Sequence, residues 1–414
     1  MNKLNQQTIE KSSHIKRDSF IWNMCASVAY SLQSAFLLMI VTRVAGLYAA
    51  GIFSIAYTTA YMFTNIGNYA MRSYQVSDLR NVYRFNTYYT SRIITTVLML
   101  LLCMGYSVLN GYQTDKIIIT LLFCLFRTIE CIEDVFHGEL QKRGRLDIAS
   151  KMMLLRIVAA TLAFLLVFVI TRSLAWATAT LTLTSIIAAC GNYPIIKSYQ
   201  IKAKIEYTGV AKLLIACCPL CIGAFLYSYL VNSPKYAIDV VLSEEMQTIF
   251  NIIFMPVFVI NLVSSFIFKP YITDMSILWK NAQKQKFIKL ILRQISFIGI
   301  ISIFVLIIGY IMGIPVLSLI YGVDLSEYKL LFLELLFFGA ISAINTFMGV
   351  VLTVIRKQMY IMVSYIVAFV ASVLFMNYLV AHWQLWGGTF VYGLVMIVIL
   401  CVSVVGVIVG MKKS

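Results

Sequence analysis

Windows of about twenty apolar residues recur along almost the whole chain, and they limit its fold more than any other feature. A helix of about twenty residues crosses the roughly 30 Å hydrocarbon core of a bilayer. Backbone polar groups in lipid need internal partners, so each window predicts a helix. We therefore expect an all-α polytopic membrane protein with twelve transmembrane helices, over 20–42, 48–69, 90–110, 116–138, 152–171, 174–194, 212–232, 247–268, 291–313, 329–353, 359–380 and 386–410.

The composition excludes an ordinary soluble domain. Hydrophobic residues make up 61% of the 414 residues and charged residues only 12%, against about 25% charged in typical soluble domains. Nine cysteines follow no pairing or metal-ligand spacing, so we expect small buried apolar side chains there and no metal site. The net charge of +16 fits membrane topology and attraction to anionic lipid, and we expect no nucleic-acid partner.

Basic residues predict the orientation of the chain. The polar N-terminal stretch carries Lys3, Lys11, Lys16 and Arg17 and precedes an apolar window without a small-residue cleavage site, which is typical of an uncleaved signal anchor. With the N-terminus inside, Lys and Arg concentrate in cytoplasmic segments, including those with Arg72, Arg92 and Arg156; the exceptions are Arg43, Lys116, Arg127, Arg172, Lys235 and Lys329. The positive-inside rule then predicts that both termini are cytoplasmic, in a bacterial inner membrane.

The chain also has the pattern of a duplication. The second window ends in Arg72-Ser73-Tyr74, and the eighth ends in Lys269-Pro270-Tyr271. Six windows in each half would make the halves parallel repeats. We predict two six-helix lobes, residues 1–205 and 206–414, that enclose a central cavity.

The fourth window is interrupted by polar and ionisable side chains on one face. At about 100° per residue they fall on the same side of the helix, and they are Arg127, Glu130, Glu133, Asp134, His137 and Gln141. Such charges in a membrane helix usually face a transport path, although a band of ion pairs that joins helices is the simpler interpretation. Glu130, Asp134 and His137 could couple transport to a proton or sodium gradient, or the carboxylates could neutralise Arg127 until an anion arrives. The sequence leaves both open.

Other residues favour a substrate site for an anion and a sugar. Arg43, Arg127 and Lys235 suit a phosphate or pyrophosphate, although each could be an interfacial anchor. Asn251 and Asn345 bring amides into apolar helices, where they hydrogen-bond sugars or join helices. No phosphate-binding loop, metal motif or nucleophile elbow occurs, so we expect no catalytic residue, cofactor or bound metal.

Three stretches resemble the Wzx-type polysaccharide flippases. They are Asn232-Ser233-Pro234-Lys235-Tyr236-Ala237-Ile238-Asp239, then Met255-Pro256 and Asn261-Leu262 leading to Phe268-Lys269-Pro270, and 130–147 with Gly138, Gln141, Arg143, Gly144, Arg145, Leu146 and Asp147. The resemblance covers nearly the whole chain. It implies the multidrug, oligosaccharidyl-lipid and polysaccharide exporter superfamily, in which two lobes rock to alternate access.

The resemblance also implies a substrate, an undecaprenyl-pyrophosphate-linked oligosaccharide that is turned to the outer leaflet, with membrane lipid and other polysaccharide-assembly proteins as partners. The family's cationic lumen would correspond here to Arg127, Lys235 and Arg43. Lipid II flippases of that superfamily usually have two further helices. The alternatives are an exporter of cationic drugs, which would prefer acidic groups, a membrane glycan polymerase or ligase, and a scaffold for glycan enzymes.

Overall fold

The computed structural model describes the backbone of residues 3–78 and 81–412, and the side chains of that part except 3–14, 16 and 412. The predicted cytoplasmic charges of Lys3, Lys11, Lys16, Arg80, Lys412 and Lys413 therefore lie outside the described side chains. The described residues form helices and contain no strand. The all-α prediction is confirmed.

The helices follow one another with short connections. They are α1 (Lys3–Asn68), α2 (Met71–Ser77), α3 (Phe85–Leu109), α4 (Thr114–Lys142), α5 (Leu146–Thr171), α6 (Leu174–Ser198), α7 (Val210–Val241), α8 (Glu244–Phe254), α9 (Val257–Phe268), α10 (Ile272–Lys280), α11 (Lys284–Ile308), α12 (Ile314–Tyr321), α13 (Lys329–Val354) and α14 (Met359–Lys412). A π-helix (Gly309–Gly313) joins α11 to α12.

Within the described residues, nine helical stretches are long and apolar enough to cross a membrane. Two of them, α1 and α14, each contain two predicted windows, because they bend at Gly46 and Gln384. The predicted fourth window lies in α4, whose charged side chains make it less apolar than the other spans. All twelve predicted windows thus fall in helical segments, and the chain is a multi-pass membrane protein.

The chain divides into two compact units, Met1–Phe225 (unit 1) and Leu226–Ser414 (unit 2). The division lies inside α7, whereas the predicted lobes divide at residue 205, in the connection before that helix. A continuous helix has no loop at which sequence could reveal the division. The lobes as functional repeats, and the central cavity, stay predictions.

In unit 1, α4 lies at the centre of the helices that surround it. It packs against α1, α3, α5 and α6, and the short helix α2 also contacts it. Phe53 and Tyr57 of α1 meet Phe123 of α4 edge to face, with ring centroids 5.4 Å apart in both pairs. Aromatic packing therefore surrounds the half of α4 that precedes its polar face.

In unit 2, α13 has the central place. It packs against α14, α9 and α11. The predicted eighth span is broken into α8 and α9 at Met255 and Pro256, since proline has no N–H to donate to the preceding turn.

Candidate functional site: buried ion clusters in unit 1 and a buried lysine in unit 2

Arginines from three other helices meet the polar face of α4. The contacts form two groups, which we call the Glu130 cluster (Arg127, Glu130, Glu133 and Arg156) and the Asp134 cluster (Arg72, Arg92, Asp134 and Gln141). Arg72 comes from α2, Arg92 from α3 and Arg156 from α5. The polar face of α4 thus joins four helices of unit 1 through charge.

The Glu130 cluster balances two positive and two negative charges. Glu130 pairs with Arg127 one turn earlier, and its second oxygen lies 3.1 Å from Nη1 of Arg156. Arg156 also places Nε 2.5 Å from Glu133. The side chains of Arg127 and Arg156 are 1% and 3% exposed. Buried ions need such partners, because an unpaired charge is costly in a dry interior.

Aromatic rings of α1 surround the guanidinium of Arg127. It lies 4.7 Å from the ring centroid of Tyr57, 5.4 Å from that of Tyr61 and 5.6 Å from that of Tyr30. Arg127 also donates a hydrogen bond of 3.2 Å to the Tyr30 hydroxyl. Cation–π contact stabilises a guanidinium without neutralising it. The charge of Arg127 is therefore neutralised by Glu130 and held in position by the rings.

The Asp134 cluster has two arginines for one carboxylate. Arg72 pairs with Asp134 and donates a 2.9 Å hydrogen bond to Oε1 of Gln141. Arg92 lies 3.0 Å from the other carboxylate oxygen and donates to Asn68 at 2.8 Å. Arg92 is 1% exposed, but Arg72 and Asp134 are 30% and 25% exposed. The cluster carries one excess positive charge and has one open edge.

The arginine partners of α4 were not predicted from the sequence. Arg92 and Arg156 were assigned to cytoplasmic segments, but the structure buries both inside α3 and α5, where carboxylates of α4 neutralise them. An arginine within or beside an apolar window was the available signal. It was misread because a helical wheel shows which residues share a face but not which partners other helices supply.

The three residues predicted to couple ions are not one connected group. Glu130 and Asp134 belong to different clusters, and each lies between two arginines. His137 is buried, and its Nε2 has no hydrogen-bond partner among the described residues. Neighbouring guanidinium groups stabilise a charged carboxylate. This geometry suits the counter-charge alternative, and ion coupling stays a prediction.

In unit 2, Lys235 is the buried cation of α7. It is 6% exposed, and its ammonium lies 5.2 Å from the ring centroid of Phe254 in α8. Among the described residues no carboxylate lies within ion-pair distance of Lys235. A buried ammonium that has an aromatic contact and no counter-ion is suited to bind an anion.

Buried amides accompany Lys235 in unit 2. Asn251 is buried in α8, and its Oδ1 has no hydrogen-bond partner within the described residues; the same holds for both side-chain polar atoms of Gln247. Asn345 of α13 donates a 2.8 Å hydrogen bond to the backbone oxygen of Met396 in α14. Asn345 therefore joins two helices, and its Oδ1, like that of Asn251, has no hydrogen-bond partner within the described residues.

The last predicted cation, Arg43, is exposed in α1 shortly before the bend at Gly46. It does not join either ion cluster through a described ion pair. No group of His, Cys, Asp and Glu side chains in the described part of the chain has the arrangement of a metal site. The structure therefore brings Arg127 together with Glu130.

No family model and no curated protein matches the sequence, but solved structures match the fold. An inward-facing multidrug resistance MATE family transporter of the MOP superfamily gives a TM-score of 0.66 at 12% identity, over 92% of this chain and 94% of that one. Lipid II flippase MurJ in an inward closed conformation gives 0.71 at 12% identity, over 95% and 89%. A MOP superfamily transporter from Pyrococcus furiosus, reported with a binding pocket of reverse polarity that suggests a different function, gives 0.56 at 13% identity, over 97% and 95%. The chain has the fold of MOP superfamily transporters.

Proposed function

We propose that the chain is a flippase that moves an undecaprenyl-pyrophosphate-linked oligosaccharide repeat unit across the bacterial inner membrane, by alternating access, for capsule or cell-surface polysaccharide synthesis. The observation that carries this proposal is an excess of positive charge in the ion clusters of unit 1 and at Lys235 of unit 2. In the two clusters of unit 1, four arginines face three carboxylates. Unit 2 buries Lys235 without a described carboxylate partner.

This charge suits a pyrophosphate headgroup. A doubly charged headgroup cannot enter hydrocarbon unaided, because water solvates it far better than lipid does. A guanidinium and an ammonium supply charge-assisted hydrogen bonds that replace this hydration. Arg127 and Lys235 would bind the headgroup, Asn251 and Asn345 would contact sugar, and no covalent step is needed.

Two alternatives differ in what they require of the protein. An exporter of cationic drugs would need excess acidic charge among its buried residues, which is the reverse of the balance in these clusters. A glycan polymerase or ligase would need a catalytic loop, and the longest connection between described helices covers only 199–209. Both MATE and MurJ structures share the fold, so the fold alone does not separate drugs from lipid-linked substrates.

The test is a flipping assay in proteoliposomes with a fluorescent polyprenyl-pyrophosphate-linked oligosaccharide. Lys235→Met removes the buried charge, and Lys116→Met is a matched control, because Lys116 is also buried (8% exposed) over an aromatic ring, 4.7 Å from the Tyr112 centroid. We expect Lys235→Met to slow flipping about tenfold or more, the loss of one charge-assisted contact, and Lys116→Met to stay near wild type.

Two results would overturn the proposal. One is a wild-type protein that moves a cationic drug but not the pyrophosphate-linked substrate. The other is full flipping by both Lys235→Met and Arg127→Ala at normal protein level. If the protein transports lipid II in preference to the oligosaccharide, it is still a flippase, but the proposed substrate is wrong.

A further inference from the structure

A groove with one cationic and one apolar wall lies between α10 and the first turns of α11 in unit 2. It encloses about 470 Å³. Lys286, Lys289 and Arg293 supply its cationic side, and Ile277, Leu278 and Leu290 its apolar side. The ion clusters and Lys235 do not line it, so nothing proposed for transport explains it.

The three cations share one face of α11. Their spacing of three and then four residues is that of neighbours on a helix surface. No carboxylate among the described residues forms an ion pair with any of them, and Asp274 is the one acidic residue that lines the groove. The guanidinium of Arg293 lies 5.4 Å from the Phe297 ring centroid, one turn further along α11. The groove has a net positive charge of two.

Buried contacts hold the two walls together. Met275 of α10 and Phe287 of α11 are both fully buried. The ring of Trp279 lies 5.2 Å from that of Phe287. Nζ of Lys284 donates a 3.4 Å hydrogen bond to the backbone oxygen of Met411 at the end of α14. The groove is therefore formed by packed helices and needs no loop movement to bind a ligand.

The position of the groove along α11 matches the depth of lipid headgroups. Lys286 and Lys289 precede the apolar window that starts at residue 291, and Arg293 lies in its first turn. Cations at the end of a membrane span meet the phosphates of lipids, whereas apolar side chains beside them meet acyl chains. Inorganic phosphate would use the cations but leave the apolar wall in water.

We propose that this groove is a binding site for one anionic phospholipid of the membrane. The phosphate headgroup contacts Lys286, Lys289 and Arg293, and the start of an acyl chain lies along Ile277 and Leu290. Surface cations each contribute roughly fivefold to binding of anionic lipid, and Asp274 offsets one of the three. The net charge of two therefore predicts a preference of about twenty-five-fold over a zwitterionic lipid.

The test is lipid binding by native mass spectrometry of the full chain, with phosphatidylglycerol and phosphatidylcholine of identical acyl chains. Lys286→Gln, Lys289→Gln and Arg293→Gln are combined in one variant. The matched control combines Lys197→Gln, Lys202→Gln and Lys204→Gln, three exposed cations of unit 1. We expect at least a tenfold loss of phosphatidylglycerol affinity in the groove variant and less than a threefold loss in the control.

A second variant, Leu290→Trp, fills the apolar wall without changing charge. It should also weaken phosphatidylglycerol binding, and thermal unfolding checks that it folds. Equal affinity in the wild type and the groove variant would overturn the proposal, as would an equal loss in the control. Displacement of the lipid by inorganic phosphate, or by a polyprenyl pyrophosphate at lower concentration than phosphatidylglycerol, would assign the groove to another ligand and overturn it as well.

Discussion

Glu130 is the residue on which the charge balance of the Glu130 cluster depends. It lies between Arg127 and Arg156, both almost completely buried. Removing its charge leaves two guanidinium groups with Glu133 as their remaining carboxylate in the cluster. Under the proposed function, an anion that binds Arg127 would compete with Glu130, so the carboxylate that neutralises Arg127 in the empty protein would also set the affinity for substrate.

We predict that Glu130→Gln destabilises the protein much more than Glu139→Gln on the same helix. Breaking a buried ion pair costs about 3–5 kcal/mol. Glu139 is buried, but its partner Arg143, 2.9 Å away, is 41% exposed. Water screens a pair with one exposed member, so we expect a smaller cost, nearer the value of about 1 kcal/mol or less for surface pairs. Equilibrium unfolding in a denaturing detergent measures both. Equal stabilities for the two variants would show that the cluster is not a structural ion pair.

Asp134 distinguishes ion coupling from simple charge neutralisation. It pairs with both Arg72 and Arg92, an arrangement that fits a fixed counter-charge, so we expect flipping in vesicles at the same rate with and without an imposed proton or sodium gradient. Asp134→Asn should slow flipping equally in both conditions, because it removes the counter-charge of two arginines. If the wild type is driven by a gradient and Asp134→Asn abolishes that dependence, the relay alternative is correct.

At the scale of elements, the bend in α1 depends on one glycine. Gly46 has φ of 83° and ψ of −175°, a region that costs other residues about 1–3 kcal/mol. A Cβ there would meet nothing within 4 Å, so the cost is one of backbone conformation alone.

We predict that Gly46→Ala destabilises the protein by about 1–3 kcal/mol. Gly105→Ala is the control, since Gly105 is helical and also has open space around it; helix propensity predicts a gain of up to about 1 kcal/mol there. The same unfolding measurement compares them. Two variants of equal stability would mean that α1 straightens without cost.

The turn before α3 depends on Asp78. Its carboxylate accepts hydrogen bonds from the backbone N–H groups of Val82 at 2.9 Å and Tyr83 at 3.0 Å. Partial burial raises the pKa of the Asp78 carboxyl, but these hydrogen bonds and the nearby charge of Lys142 outweigh that effect. The pKa of Asp78 therefore lies below its usual 3.8. Because the pKa of Asp78 is lower in the folded protein than in the unfolded chain, the charged carboxyl stabilises the turn fully above pH 3.8. This stabilisation is lost as the pH falls through the pKa of the folded protein.

We therefore predict that the amides of Val82 and Tyr83 lose protection against hydrogen exchange as the pH falls from neutral through and below 3.8, after correction for intrinsic rates. The side chain at position 78 cannot titrate in Asp78→Asn. In that variant the two amides should therefore be less protected at neutral pH, and their protection should change little as the pH falls. A titration of the same size in Asp78→Asn would assign the effect to another group.

At the scale of the whole molecule, span length and hydropathy were sufficient to predict the helices, because lipid allows so few structures. Even α4 and its polar face were predicted, although Glu130 and Asp134 make this helix less apolar than the others. What the sequence could not show is which helices meet. Arg92 and Arg156 lie on the helices before and after α4, and only packing reveals them as its partners. The bend at Gln384 falls in the predicted connection between the windows 359–380 and 386–410, although glutamine seldom adopts its φ of 51°.

Orientation in the membrane stays a prediction, and two connections of contrasting charge can test it. The connection between α6 and α7 holds Lys202 and Lys204, whereas that between α7 and α8 holds no Lys or Arg. Because positive charge is retained in the cytoplasm, alkaline phosphatase fused after Leu242 should be active and the same enzyme fused after Lys204 inactive. A cytoplasm-active fluorescent protein at the two positions controls for expression and should give the opposite pattern. If only the fusion after Lys204 has phosphatase activity, the predicted topology is inverted. The groove of α10 and α11 then lies at the outer leaflet.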